Sequence, residues 1–125
     1  MKRYYICLLG LILVLIPALQ PVLAGELKQL EPADLKEMLA HKDFFLLDVH
    51  IPEQTHIPGT DAFIDFRKIR ENIDQLPTSK ETKIVVYCRG GHMGRIAGLE
   101  LIKLGYTDVF ELKGGRMAFN RLSSQ

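Results

Sequence analysis

The sequence has few cysteines: only Cys7 and Cys88 among 125 residues. Cys7 lies in an apolar N-terminal stretch that we expect to be removed, so Cys88 would remain alone and could form no intrachain disulfide. A single cysteine also lacks the resolving partner of a dithiol cycle, so a thiol-redox protein could form only a mixed disulfide with another molecule. A lone thiol in a disulfide-forming compartment is either buried and inert or used for its reactivity.

The mature chain also lacks an excess of charge of either sign. Removing Lys2 and Arg3 from the 16 basic residues leaves 14, against 15 acidic residues, which gives a net charge of −1. Nucleic-acid-binding domains usually carry a basic face, so we predict no nucleic-acid partner. The chain contains no internal repeat or low-complexity segment, and its 47% hydrophobic and 25% charged residues are typical of a globular protein.

The first 24 residues have the pattern of a secretory signal peptide. Lys2 and Arg3 precede an apolar run over residues 6–19, and small residues occupy the usual positions before a cut after Ala24. Cleavage there would leave 101 residues, 25–125, as one domain in the periplasm or outside the cell, without stable membrane association. An uncleaved anchor is the alternative, although the run is shorter than the ~20 apolar residues that a spanning helix prefers.

Apolar periodicity predicts strands that alternate with helices. The expected strands cover residues 44–49, 62–64, 84–87 and 109–112, and the expected helices cover residues 32–41, 66–76, 93–104 and 115–122. In the third of these helices, Ile96, Ala97, Leu101 and Leu104 share one face. The continuous apolar runs at 44–49 and 84–87 suit central parallel strands that are buried on both faces. The alternation therefore predicts an α/β fold, an open parallel sheet with right-handed crossovers and helices on both faces.

Cys88 stands between the strand at 84–87 and a helix, where ligands bind in open α/β sheets. The segment Cys88-Arg89-Gly90-Gly91-His92-Met93-Gly94-Arg95 contains three glycines, which let backbone N–H groups turn inward and form a concave nest. These N–H groups, the positive end of the helix and an arginine of the segment are expected to favour a thiolate. Such a thiolate can attack the outer sulfur of thiosulfate, and the nest can hold the resulting anionic persulfide.

The charged side chains of this segment leave alternatives open. Arg89 and Arg95 either reach over the loop toward a substrate anion or stand in solvent, and His92 either contacts substrate or is exposed and passive. The four histidines show no spacing that places them together with Cys88: His41, His50, His56 and His92. We therefore predict no metal site.

Four segments in order resemble the successive motifs of the rhodanese homology domain: Leu47-Asp48-Val49, His56-Ile57-Pro58-Gly59, Val85-Val86-Tyr87-Cys88-Arg89 and Leu112-Lys113-Gly114-Gly115. The resemblance implies a rhodanese-like fold and a thiosulfate sulfurtransferase that needs no metal or organic cofactor. Cys88 would carry sulfur as a persulfide to cyanide or a thiol, and the backbone of residues 89–93 would complete a six-residue active loop. Asp48 would support the site from the neighbouring strand.

Departures from the family pattern bear on substrate choice. His50 stands where members often have arginine, Met93 closes the loop where arginine or another polar residue is common, and the segment 52–56 is shorter than usual. A related phosphatase or arsenate reductase loop would have arginine at the position of Gly94, so phosphate chemistry is disfavoured. A non-catalytic binding module, or a persulfide carrier for a protein partner, remains the alternative to an enzyme.

Overall fold

The computed structural model describes residues 17–18 and 25–125. Apart from residues 17 and 18, the predicted signal peptide lies outside the described residues, as do Cys7 and the cut after Ala24. Within the described ranges, no helix has the length and apolar character needed to cross a membrane.

Strands and helices alternate along the described part of the chain. Its five strands are β1 (Leu27–Leu30), β2 (Phe45–Asp48), β3 (Ala62–Phe63), β4 (Ile84–Tyr87) and β5 (Val109–Leu112). Its helices are α1 (Pro32–Ala40), α2 (His92–Lys103) and α3 (Gly115–Ser123), with a short 3-10 helix over Arg70–Gln75.

The strands form one parallel sheet in the order β1-β5-β4-β2-β3. β4 lies at its centre, with Asp48 of β2 opposite Tyr87 on one side and Glu111 of β5 opposite Val86 on the other. The carboxyl ends of all three strands therefore meet at one edge of the sheet, where Cys88 follows β4. This architecture confirms the predicted α/β fold.

Two apolar clusters cover the two faces of the sheet. One lies toward α2 and contains Leu47, Val49, Ile64, Ile69, Leu76, Ile84, Val86, Cys88, Ala97, Leu101, Tyr106 and Val109. The other lies toward α1 and α3 and contains Leu30, Leu35, Phe44, Leu46, Ile57, Val85, Tyr87, Leu112 and Phe119. Every residue of β4 is buried, as expected for a central parallel strand, and each fully buried aliphatic side chain contributes about 1.5–3 kcal/mol.

The predicted helix over residues 66–76 is wrong. The structure has turns followed by the 3-10 helix, which is interrupted by the non-helical backbone of Asn72. One side chain takes a backbone group that a regular helix would use: Asn72 donates to the Lys68 carbonyl at 2.8 Å, where the helical partner would be the Asn72 amide. Side-chain bonds of this kind compete with helix formation.

Two smaller differences concern the edge of the sheet and α2. β1 was not predicted, since its four residues hold two polar side chains between Leu27 and Leu30 and pair only with β5. Ile96 shares a predicted helical face with Ala97 and Leu101, yet it is 41% exposed while the other two are buried. Small glycines, Gly94 and Gly98, occupy that face instead.

Tyr87 attaches the loop after β2 to the sheet. Its hydroxyl accepts the Ile57 amide at 2.9 Å and lies 2.8 Å from the Thr60 hydroxyl. Burial raises the pKa of Tyr87, so its phenol remains neutral. The loop that forms one wall of the Cys88 region is therefore held from the central strand.

Replacing Tyr87 by phenylalanine is expected to lower the free energy of unfolding by about 1–3 kcal/mol, because the Ile57 amide loses its acceptor. Hydrogen exchange of the Ile57 amide should accelerate more than the decrease in the free energy of unfolding explains. Tyr106→Phe is the matched control, since it removes another tyrosine hydroxyl, which bonds the Pro77 carbonyl at 2.6 Å, and Tyr106 lies in the other apolar cluster. Equal Ile57 protection in the two variants would contradict the assignment.

Candidate functional site

Cys88 lies at the floor of an open pocket at the carboxyl edge of the sheet. The residue is 3% exposed, and the Gly91 amide donates to its Sγ at 2.9 Å. The pocket has a volume of about 450 Å³ and is lined by His50, Cys88, Arg89, Gly90, Gly91, His92, Met93 and Met117. The thiol is thus shielded from bulk solvent but open to a small molecule that enters this pocket.

The first turn of α3 holds the active loop by its backbone. The Arg116 amide donates to the Cys88 carbonyl at 2.8 Å, and the Met117 amide donates to the Arg89 carbonyl at 3.1 Å. In a trans peptide the N–H points opposite to the C=O, so these bonds turn the amides of Arg89 and Gly90 away from α3. The loop therefore keeps N–H groups available for an anion while its carbonyls are satisfied.

Two glycines make this approach of α3 possible. Gly114 and Gly115 have φ of +72° and +61°, a region that favours glycine. A Cβ added to Gly115 would lie 2.5 Å from the carbonyl oxygens of both Cys88 and Arg89. The motif Leu112-Lys113-Gly114-Gly115 is thus required by backbone packing against the active loop.

The N-terminus of α2 completes the surroundings of the sulfur. The helix begins at His92, one residue before the predicted start, after Gly91 with φ of +125°. Gly94 is buried, and a Cβ there would lie 3.4 Å from the Cys88 amide nitrogen, so the first turn packs closely against the cysteine backbone. A helix N-terminus beside Sγ favours negative charge on that sulfur.

Asp48 supports the opposite wall through hydrogen bonds. It is 2% exposed, its Oδ1 accepts the His50 amide at 3.0 Å and its Oδ2 lies 2.7 Å from His56 Nδ1. His56 Nε2 lies 2.8 Å from Glu53, and the hydrogen bond with Asp48 is the main reason that the pKa of His56 is raised. Asp48 does not line the pocket itself but fixes the loop that brings His50 to it.

The structure brings together most of the predicted site. Cys88 and residues 89–93 surround the pocket, whereas Gly94 and Arg95 do not line it. His92 lines the pocket as part of the predicted loop, and His50 lines it too although it was not placed in the predicted site. His50 reaches the pocket because β2 and β4 are neighbours in the sheet, which spacing along the chain does not reveal. Within residues 17–18 and 25–125, no group of three or more ligating side chains could hold a metal ion.

Besides His50, sequence reasoning missed two further residues at the site. Met117 reaches the pocket from α3, and only the tertiary packing of that helix reveals it. Glu111, at the end of β5, is 6% exposed; burial raises its pKa, while the nearby Arg95 opposes the rise. Its Oε2 has no hydrogen-bond partner in the described structure, and its Oε1 lies 3.7 Å from where a Cβ on Gly91 would be. The sequence feature that could have indicated Glu111 is its charge, since it interrupts the apolar run of β5.

Comparison with known families and curated proteins gives consistent matches. The sequence model of the rhodanese-like domain matches residues 31–122. The tRNA uridine(34) hydroxylase of Cytophaga hutchinsonii is 33% identical over 93 residues, covering 70% of this chain and 30% of that protein. The protein of the same name from Nitrobacter winogradskyi is 29% identical over 109 residues, covering 82% of this chain and 42% of that protein. The chain thus spans only about a third of the length of such relatives.

Solved structures show the same fold. A rhodanese-related protein from Thermoplasma volcanium superposes with a TM-score of 0.65 at 24% identity, covering 76% of this chain and 92% of that chain. A rhodanese-like domain protein from Staphylococcus aureus gives a TM-score of 0.62 at 24% identity, covering 74% of this chain and 90% of that chain.

Replacing Gly115 by alanine is expected to lower the free energy of unfolding by more than about 2 kcal/mol, because the new Cβ meets two carbonyl oxygens at a positive φ. Gly90→Ala is the matched control, since a Cβ there meets nothing within 4 Å, and its effect should stay below about 0.5 kcal/mol. Urea denaturation measures both. Similar decreases in the free energy of unfolding for the two variants would contradict the close approach of α3 to the loop.

His56 should stabilise the fold in a pH-dependent way. Its pKa is higher in the folded than in the unfolded chain, so its contribution is complete below the ordinary histidine pKa of 6.5 and is lost as pH rises through the folded pKa. His56→Gln should therefore destabilise the protein more near pH 6 than near pH 8.5. Urea denaturation at both pH values tests this, with the exposed His41→Gln as control. A destabilisation that does not change with pH would contradict the proposed ion pair.

Proposed function

Since the chain belongs to the rhodanese-like domain family, we propose that it is a sulfurtransferase whose Cys88 carries a sulfur atom as a persulfide. The donor would be thiosulfate or a related sulfane-sulfur compound, and the acceptor would be a thiol or cyanide. The observation that supports this best is the Gly91 amide on the Cys88 sulfur, 2.9 Å away, in a loop that opens into a pocket.

The reaction would proceed in two displacements. The Cys88 thiolate attacks the outer sulfur of the donor, the sulfur–sulfur bond of the donor breaks, and its electron pair leaves with sulfite. The acceptor thiolate or cyanide then attacks the outer sulfur of the persulfide, which returns Cys88 as a thiolate. Negative charge on the sulfur is stabilised in each state by the Gly91 N–H and the N-terminus of α2.

The N-terminal pattern supports action outside the cytoplasm. A signal peptide over residues 1–24 would place the domain, residues 25–125, in the periplasm or the medium, where Cys88 would have no partner for an intrachain disulfide. A persulfide carrier that serves one protein acceptor is the alternative to a small-molecule enzyme.

The names of the relatives suggest a second candidate, in which sulfur chemistry on this domain would serve tRNA modification. The chain covers only 30% of the Cytophaga hutchinsonii protein, so it would need other protein segments for such an activity. Its residues 25–125 carry 14 basic and 15 acidic side chains, which gives no electrostatic support for tRNA binding by this domain. We therefore favour small-molecule or protein sulfur transfer.

The mature protein, incubated with thiosulfate, is expected to gain the mass of one sulfur atom and to form thiocyanate when cyanide is added. Cys88→Ser should lose both the added mass and the turnover, because a hydroxyl at that position does not form a persulfide. Intact mass spectrometry and a thiocyanate assay measure these outcomes.

The same assay separates the enzyme from its alternatives. A wild-type protein that gains sulfur but discharges it only to a component of a cell extract would be a carrier. A folded wild-type protein that gains no sulfur from any sulfane-sulfur donor would contradict the proposed function and favour a binding module.

A further inference from the structure

Two of the eight residues that line the Cys88 pocket are methionines, and they come from two different helices. Met93, in the first turn of α2, is half-buried and packs against the apolar cluster that contains Cys88. Met117 comes from α3 and is 44% exposed at the pocket. Methionine is flexible and polarisable, so it adapts to apolar groups of varied shape.

The basic side chains around the pocket are mostly engaged elsewhere. Arg116, next to Met117, bonds the Thr55 carbonyl and the Gln54 side chain. His50 Nδ1 lies 2.8 Å from the Pro52 carbonyl, so this nitrogen is bonded within its own loop. Arg95 does not line the pocket, and its charge opposes the rise in the pKa of the buried Glu111.

Arg89 and His92 are the basic side chains of the lining that have no hydrogen bond to another described residue, and both are exposed. Because exposed charges interact weakly across water, these two side chains would stabilise only slightly a dianion that enters the pocket beside Met93 and Met117. Thiosulfate would also lose part of its hydration there. An apolar group attached to the same sulfur chemistry would lose little hydration and would gain contact with Met93 and Met117.

We infer that the pocket selects sulfane-sulfur compounds whose sulfur is carried on an apolar organic group, and that Met117 is a specificity-determining residue for this class. The inference rests on the proposed function, since it concerns the donor that loads Cys88. Organic thiosulfonates, R–SO₂–S⁻ with an apolar R, represent the class and differ from thiosulfate by one charge and one organic group.

The loading step is balanced with either donor. The Cys88 thiolate bonds to the outer sulfur of R–SO₂–S⁻, the bond between the two donor sulfurs breaks, and its electron pair leaves with the sulfinate R–SO₂⁻. With thiosulfate the same displacement releases sulfite. Cys88 ends as the persulfide anion in both cases, so a difference in rate reports on recognition and on the reactivity of the donor.

The test compares benzenethiosulfonate with thiosulfate as donors to the mature protein. The rate of sulfur gain is followed by intact mass after acid quenching, and each rate is divided by the rate of that donor with a free small thiol, which removes its intrinsic reactivity. We expect the normalised rate to favour benzenethiosulfonate by at least about tenfold, which corresponds to the burial of a small apolar group.

Substitutions at Met117 then assign the preference to the pocket. Met117→Lys removes the apolar contact with the organic group of the thiosulfonate and adds a cation, so it should shift the preference toward thiosulfate by about fivefold or more. Met117→Ala should slow benzenethiosulfonate several-fold more than it slows thiosulfate. Ile73→Lys is the matched control, because Ile73 is also 44% exposed, gains the same charge and does not line the pocket. This control should load at wild-type rates with both donors.

Each result has a distinct meaning. A normalised preference for thiosulfate in the wild-type protein, or a preference that Met117→Lys and Ile73→Lys change equally, would overturn the inference while leaving the proposed function intact. No sulfur gain with either donor, in a protein that circular dichroism shows to be folded, would overturn the proposed function instead.

Discussion

Two backbone hydrogen bonds from the first turn of α3 to the carbonyls of Cys88 and Arg89 determine the form of the active loop. Because these carbonyls are satisfied from outside the loop, its peptide N–H groups are left for the sulfur and for an entering anion. The bonds require that α3 lie almost against the loop, and the positive φ of Gly114 and Gly115 is the condition for that position. The site therefore depends on two segments that are adjacent only in the folded sheet.

The rest of the site is assembled from neighbouring strand ends. Cys88 follows β4, the Asp48 carboxylate at the end of β2 fixes the loop that carries His50, and Tyr87 fastens the same loop further along. Glu111, near the end of β5, is buried close to Gly91 of the loop, and one of its carboxyl oxygens has no hydrogen-bond partner in the described structure. A parallel sheet brings these groups together because all its strands end at one edge.

Much of this arrangement could be predicted from the sequence. Continuous apolar runs indicated β2 and β4 because central parallel strands are buried on both faces, and the glycines after Cys88 indicated a tight turn. The region around Asn72 could not be predicted, since side-chain bonds to the backbone override its helical periodicity. The pocket lining could not be fully predicted either, because His50 and Met117 reach the Cys88 pocket only through the order of the strands and the placement of α3.

The central claim is that the loop holds an anionic sulfur on Cys88. A crystal structure of the protein after exposure to a sulfane-sulfur donor tests it most directly. The account predicts one additional sulfur atom bonded to Sγ, directed into the loop and within hydrogen-bonding distance of its backbone amides. An unmodified Cys88, or an added sulfur that points into solvent and contacts none of these amides, would contradict it.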